Sequence, residues 1–272
     1  MSDSTIVRPR VSGKIVPSDW QRVLSELVGT MFFVYAVSAS VVIPMTYLQA
    51  SPGVTSLVTA LIQGLSLIAI VSIFAGVSGS HFNPAITLMT MLTAKIGIFL
   101  GIFYIIAQLI GAILGAALFR GSVTNWQQAH LSATTIGPGV SLGQAFLIEF
   151  MITSILLLVV IGTSTDTRQG FYILAPIPIG FAVLIGVLIA RTLTGASMNP
   201  ARSFGPAVVS NTWTDNWLYW AAPFTASLFV SILYLVLFRV RVGGRSVPLD
   251  TEVGAANAAA TGSPVQQVDR TF

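Results

Sequence analysis

The sequence predicts an all-α membrane protein of six transmembrane helices and two re-entrant half-helices, arranged as an inverted repeat. Three observations predict it. Of the 272 residues, 54% are hydrophobic and only 8% charged, where a soluble domain carries roughly 25% charged residues. The charges stand at the edges of long apolar runs: no Asp, Glu, Lys or Arg lies between Glu26 and Lys95, and the runs after Lys95, Glu149 and Asp215 are similarly clean. Finally, the triplet Asn-Pro-Ala occurs twice, at 83–85 and 199–201, each time opening a segment too short to cross a membrane.

Residues 1–19 are polar and carry Arg8, Arg10 and Lys14. They lack the apolar stretch of a signal peptide, so a retained cytoplasmic tail is expected. A hydrocarbon core of about 30 Å takes roughly 20 apolar residues per helix. Full spans are therefore expected at about 22–47, 55–77, 96–119, 141–163, 171–191 and 216–239. The segments beginning at Asn83 and Asn199 offer about ten to twelve residues each, or about 15–18 Å at 1.5 Å per residue, half a membrane. Residues 243–272 are rich in Ala, Gly, Pro and polar types and are expected to form a disordered cytoplasmic tail.

Arg22, Lys95, Arg168, Arg239 and Arg241 fall at span ends that share one side, which predicts cytoplasmic termini. The plasma membrane is the expected location and the lipid bilayer the expected partner. The net charge of +4 is read as charge flanking spans, with no nucleic acid implied. There is no Cys, which removes disulfides and thiolate metal sites, and only two His, so no cofactor or metal is expected.

The two short segments are copies: Gly-Ser-His-Phe-Asn-Pro-Ala at 79–85 and Gly-Ala-Ser-Met-Asn-Pro-Ala at 195–201, an offset of 116 residues. Glu26 and Thr30 recur as Glu149 and Thr153, and Tyr104 recurs as Tyr219. A channel domain over 20–242 then divides into repeat 1, about 20–122, and repeat 2, about 140–242. Three spans per unit is an odd number, so the second unit enters from the opposite face, with sites expected near the midplane.

Asn is a favoured helix N-cap and Pro a favoured first residue. Asn83, Pro84, Ala85 and Asn199, Pro200, Ala201 thus place two helix N-termini at the midplane, each with about half a positive charge. Protons and cations would meet a barrier there, and each Asn amide could donate to a passing oxygen. Irregular backbone leading into such tips is tolerated where it lines a water-filled cavity. Glu26 and Glu149 lie in apolar spans and are either a proton relay or acceptors that hold the re-entrant backbone. Arg202 is expected to face the pore and repel cations, whereas Arg191 is expected to end a span at solvent or headgroups. His81 either lines the path or packs.

The segments Ser-Gly-Ser-His-Phe-Asn-Pro-Ala-Ile-Thr and Thr-Gly-Ala-Ser-Met-Asn-Pro-Ala-Arg-Ser-Phe-Gly-Pro closely resemble the two signature loops of the major intrinsic proteins, the aquaporin family. The resemblance spans about 20–242. It implies a homotetramer with one pore per subunit, single-file passage and proton exclusion. It also implies loop support by Glu26, Gln108 and Glu149, and a selectivity filter of Gln63, Val187, Ala196 and Arg202. Ser203, Ala207, Tyr219 and Trp220 resemble the water-channel pattern. Gln63 and Val187 stand where strict water channels usually carry Phe and His, which implies a wider filter; the alternative for Gln63 is packing against a neighbour.

The leading reading is a passive channel for water, with small neutral solutes as additional cargo. A facilitator of glycerol, urea, ammonia, peroxide or a metalloid acid is the alternative. An ion-coupled secondary transporter would need a coupling-ion site, a junctional role would leave the pore chemistry without purpose, and an enzyme lacks catalytic side chains.

Overall fold

The computed structural model describes residues 17–165, 171–237, 239–242 and 245–248. Eight helices are present among them: α1 Asp19–Val42, α2 Pro52–Ser78, α3 Pro84–Leu92, α4 Ile98–Ser122, α5 Leu142–Val160, α6 Pro176–Thr194, α7 Pro200–Ser210 and α8 Leu218–Leu237. Six of them, counting the π-helical turns that continue α1 and α5, are long and apolar enough to span a bilayer. The nine residues of α3 and the eleven of α7 are the half-length segments.

The repeat reaches into the helix starts. Ser18 and Gln21 at the head of α1 bond reciprocally, and Ser141 and Gln144 do the same at the head of α5. These capping boxes satisfy backbone donors that a helix start leaves open, and their offset of 123 residues is also that of Glu26 and Glu149. The fifth span begins at Pro176, after a 3-10 turn at Phe171–Leu174, and not at 171 as expected. Pro176 occupies the first helical position, where a missing N–H costs nothing.

Small residues bring the spans together. A Cβ on Gly64 would lie 2.8 Å from the Gly180 carbonyl, and one on Gly180 2.5 Å from that of Gly64, so α2 and α6 cross backbone to backbone. Gly111 and Gly115 of α4 sit against the Leu27 and Met31 carbonyls of α1 in the same way, at 2.3 and 2.2 Å. Close approach through small side chains is how helices associate where lipid supplies no hydrophobic drive. Large apolar side chains such as Phe99, Phe103 and Ile185 are exposed, while Glu26, Gln108 and Glu149 are fully buried, the inside-out pattern of an integral membrane protein.

The Lys95 ammonium lies 5.7 Å from the Tyr234 ring, near the end of α8, and Lys95 also shares a cavity with Pro17. Both ends of the channel domain therefore reach one face. After α8, Arg239–Val242 pairs antiparallel with Arg245–Pro248. The tail expected to be disordered from 243 thus includes a short strand. Residues 249–272, the N-terminal tail up to 16, and Arg168 lie outside the described residues.

Candidate functional site

The site is built by two loops of unusual backbone. α2 and α6 end on Gly79 and Gly195 at φ 87° and 80°, and the left-handed conformation then recurs at Ser80, Phe82, Ala196 and Met198. Non-glycine residues in this region cost about 1–3 kcal/mol each and persist only where their surroundings hold them. The holders are the two buried glutamates. Glu26 accepts from the Ser78 hydroxyl and from the backbone N–H of His81 and Phe82, at 2.5, 3.0 and 2.7 Å. Glu149 accepts from the Thr194 hydroxyl and from the N–H of Ser197 and Met198, at 2.6, 2.9 and 3.0 Å. The donors correspond residue for residue at an offset of 116. Both carboxylates are thus engaged by their own loops, the arrangement that the loop-holding alternative requires. The Tyr104 and Tyr219 hydroxyls complete the pattern, donating to the Ser78 and Thr194 carbonyls at 3.0 and 2.8 Å.

The two halves differ in a fourth donor. Gln108 donates to Glu26 at 2.8 Å and to the Thr87 hydroxyl at 2.9 Å. Counting from Tyr104 and Tyr219, its counterpart is Pro223, which has no side-chain donor. The His81 ring and Thr87 hydroxyl lie 3.1 Å apart, and their counterparts Ser197 and Ser203 join through their hydroxyls at 2.5 Å.

At the tips, Asn83 Oδ1 accepts from the Ala85 N–H, and Asn199 Oδ1 from those of Ala201 and Arg202. The amide nitrogens cross between the repeats: Asn83 Nδ2 donates to the Met198 carbonyl at 2.8 Å and Asn199 Nδ2 to the Phe82 carbonyl at 2.9 Å. Each amide carries two N–H groups. One per tip therefore ties the tips together, and each amide carries a second N–H on a side chain that lines the central cavity.

Three cavities follow one another through this region. A vestibule of about 340 Å³ at the face of the chain ends is lined by Arg22, Lys95, Leu67, His81 and Ile86. Leu67, His81 and Ile86 also line a central cavity of about 20 Å³, with Asn83, Asn199, Gln63 and Arg202. Arg202 in turn borders a vestibule of about 350 Å³ at the opposite face. Among the described residues, no Asp or Glu lines any of the three. The central space holds about one water, since one needs about 10–15 Å³.

Of the four expected filter residues, Gln63 and Arg202 meet in the central cavity, while Val187 and Ala196 are fully buried and border none of these three spaces. His81 lines the junction of the central cavity with the first vestibule, and its ring stands edge-on to Tyr104 at 5.3 Å. Arg191 departs from expectation: it lines the far vestibule beside Arg202, half-buried, with Nε donating to the Thr59 hydroxyl at 3.2 Å. Ser132 is a residue that sequence reasoning missed. Its carbonyl and hydroxyl accept from the Arg202 guanidinium at 2.7 and 3.1 Å.

Six spans, two opposed half-helices and a lined passage between two vestibules define a pore-forming membrane protein. The sequence profile described as Major intrinsic protein matches residues 14–234. The chain is 36% identical over 221 residues to Aquaporin A of Dictyostelium discoideum, covering 80% of this chain and 78% of that one. It is 37% identical over 256 residues to the lens fiber major intrinsic protein of Lithobates pipiens, covering 92% and 95%. The fold is shared with an aquaglyceroporin from Plasmodium falciparum, with a TM-score of 0.70 and 23% identity over 80% of this chain and 96% of that one. The protein belongs to the major intrinsic protein family, whose members are passive channels for water or small solutes and not enzymes.

Proposed function

We propose that the protein conducts water, together with small neutral solutes, and refuses protons and ions. The observation that carries this reading is the run of three cavities meeting at the two Asn tips, with room for about one water between them. A file that narrow strips a permeant to its direct contacts. The lone N–H left on each Asn and the carbonyls of the two loops are the partners on offer. Two helix N-termini, Arg202 and the absence of acids among the described lining residues all disfavour a cation in the passage. Ser203, directly after the second Asn-Pro-Ala-Arg, follows the water-channel pattern and supports water as main cargo. The amide of Gln63 supports a broader range that reaches polar solutes. We further place both termini in the cytoplasm, the protein in the plasma membrane and the assembly as a homotetramer, which would bury part of the exposed apolar faces.

The test is reconstitution into liposomes with light scattering under osmotic gradients of an impermeant sugar and of glycerol. Fast shrinkage above empty vesicles is expected with the sugar, and re-swelling after shrinkage with glycerol if the filter is broad. Permeability equal to that of empty vesicles in both would overturn the reading.

A further inference from the structure

Gln63 is held by a contact that has no counterpart in the other repeat. Its Nε2 donates to the Ser40 hydroxyl at 3.1 Å, and Ser40 is fully buried on α1. The Ser40 hydroxyl donates in turn to the Val37 carbonyl at 2.6 Å. A serine hydroxyl has one proton, so toward Gln63 the Ser40 oxygen can only accept. With that proton on the Val37 carbonyl, the NH2 end of an otherwise interchangeable amide faces Ser40, and its other end, on a side chain that lines the central cavity with Arg202, is the carbonyl oxygen. The same strand of contacts continues outward. Thr59, one turn from Gln63 on α2, donates to the Ser40 carbonyl at 2.9 Å and accepts from Arg191 Nε.

The glutamates, the tyrosines and the Asn tips recur in both repeats and hold the scaffold. This string does not recur. Gly64 and Gly180 are equivalent across the α2–α6 crossing, so Ile179 stands where Gln63 does. A polar side chain found in one half alone, buried and bordering the narrowest space, is not required by the repeat architecture.

We propose that Ser40 is a specificity-determining positioning residue. By turning the Gln63 carbonyl oxygen into the constriction, it sets an acceptor across from the donors of Arg202. That pair matches small neutral solutes carrying both donating and accepting groups, of which urea is the simplest rigid case. This rests on the pore reading above. Without Ser40 the amide can turn over, both sides of the constriction then present donors, and urea loses the acceptor for its N–H groups.

The experiment compares urea and water permeability in liposomes for the wild type, Ser40→Ala, Gln63→Met and the double variant. One hydrogen bond is worth about 0.5–1.5 kcal/mol, so Ser40→Ala should lower the urea-to-water ratio about three- to tenfold with water permeability held within about twofold. In the Gln63→Met background, Ser40→Ala should have no further effect on the ratio, because a role through Gln63 disappears with Gln63. An unchanged ratio in Ser40→Ala overturns the inference, as does an equal loss in both backgrounds, which would mark Ser40 as packing alone. A wild type that passes water but not urea overturns the inference and leaves the water-channel reading standing. A wild type that passes neither overturns that reading itself.

Discussion

Glu149→Gln isolates what the carboxylate does. Glu149 accepts three bonds, two at Oε1 from Thr194 and Ser197 and one at Oε2 from Met198. If the glutamine oxygen takes the Oε1 place, its NH2 faces the Met198 N–H and two donors meet. If it takes the Oε2 place, the NH2 faces the Ser197 N–H instead, while the Thr194 hydroxyl can rotate to accept. Either way one buried backbone donor loses its acceptor, at about 1–3 kcal/mol. The surviving bonds also lose their charge assistance, about 1 kcal/mol each. The total is about 3–5 kcal/mol. At about 2–4 °C per kcal/mol for a chain of this size, the apparent melting temperature of purified protein should fall by roughly 5–20 °C. The loosened peptide also carries the Met198 carbonyl that Asn83 bonds, so water permeability per folded channel should fall as well. Tryptophan fluorescence on heating reads the first effect and stopped-flow light scattering the second. A variant with wild-type stability and wild-type water permeability would refute the loop-holding role. Altered proton flux in that same variant would restore the relay.

Two shorter predictions follow from the passage itself. Arg202→Val removes a fully buried cation that borders both the central cavity and the far vestibule. Glycerol leakage read by light scattering, or proton leakage read in vesicles loaded with a pH-sensitive dye, should rise severalfold, and unchanged selectivity would remove Arg202 from the filter. The chain contains no Cys, so a thiol-directed mercurial should leave water permeability unaltered. Strong block that a thiol reverses would contradict the assignment of this conductance to the protein.

What was legible in the sequence is what depends on local pattern or on repetition. Charge-free runs mark the spans because each residue of a span faces the same solvent requirement. The Asn-Pro-Ala triplets mark the half-helices because capping chemistry is local. Glu26 and Glu149 could be found without an alignment because the chain carries its own second copy for comparison. The contacts that escaped reading are those between distant segments with no second copy. Ser132 reaches Arg202 across 70 residues, from a turn in which His130, Leu131 and Ser132 are all left-handed without a glycine. No spacing rule points there. Arg191 reads as a span-end charge because its place at the end of α6 is local, while its contact with Thr59 on α2 is not. The strand at Arg245–Pro248 escaped for the same reason, since tail composition does not reveal its pairing with Arg239–Val242.

The departures from symmetry follow one logic. An inverted repeat with identical halves would make a passage with identical mouths, and its narrowest point would fall at the midplane between the tips. Selectivity then could not exceed what two Asn amides and a ring of carbonyls allow, and those groups accept any small polar permeant. Discrimination needs further groups at the narrow space beside the tips, and residues present in one half alone can supply them. Here the asymmetric residues fall on opposite sides of the tips. Toward the chain ends, His81 with Thr87 and Gln108 replaces the smaller Ser197, Ser203 and Pro223. Toward the far face, Arg202 held by Ser132 and Gln63 held by Ser40 replace Ile86, an apolar lining residue in the equivalent place of Arg202, and Ile179. Strong donors and an oriented acceptor thus stand on one side of the midplane, and an imidazole with alkyl groups on the other. On the pore reading proposed above, a permeant arriving from the far face would meet Arg202, which borders that vestibule, as it entered the cavity that Gln63 and the Asn tips share, so the choice of cargo would fall to the polar pair together with the tips and not to the tips alone.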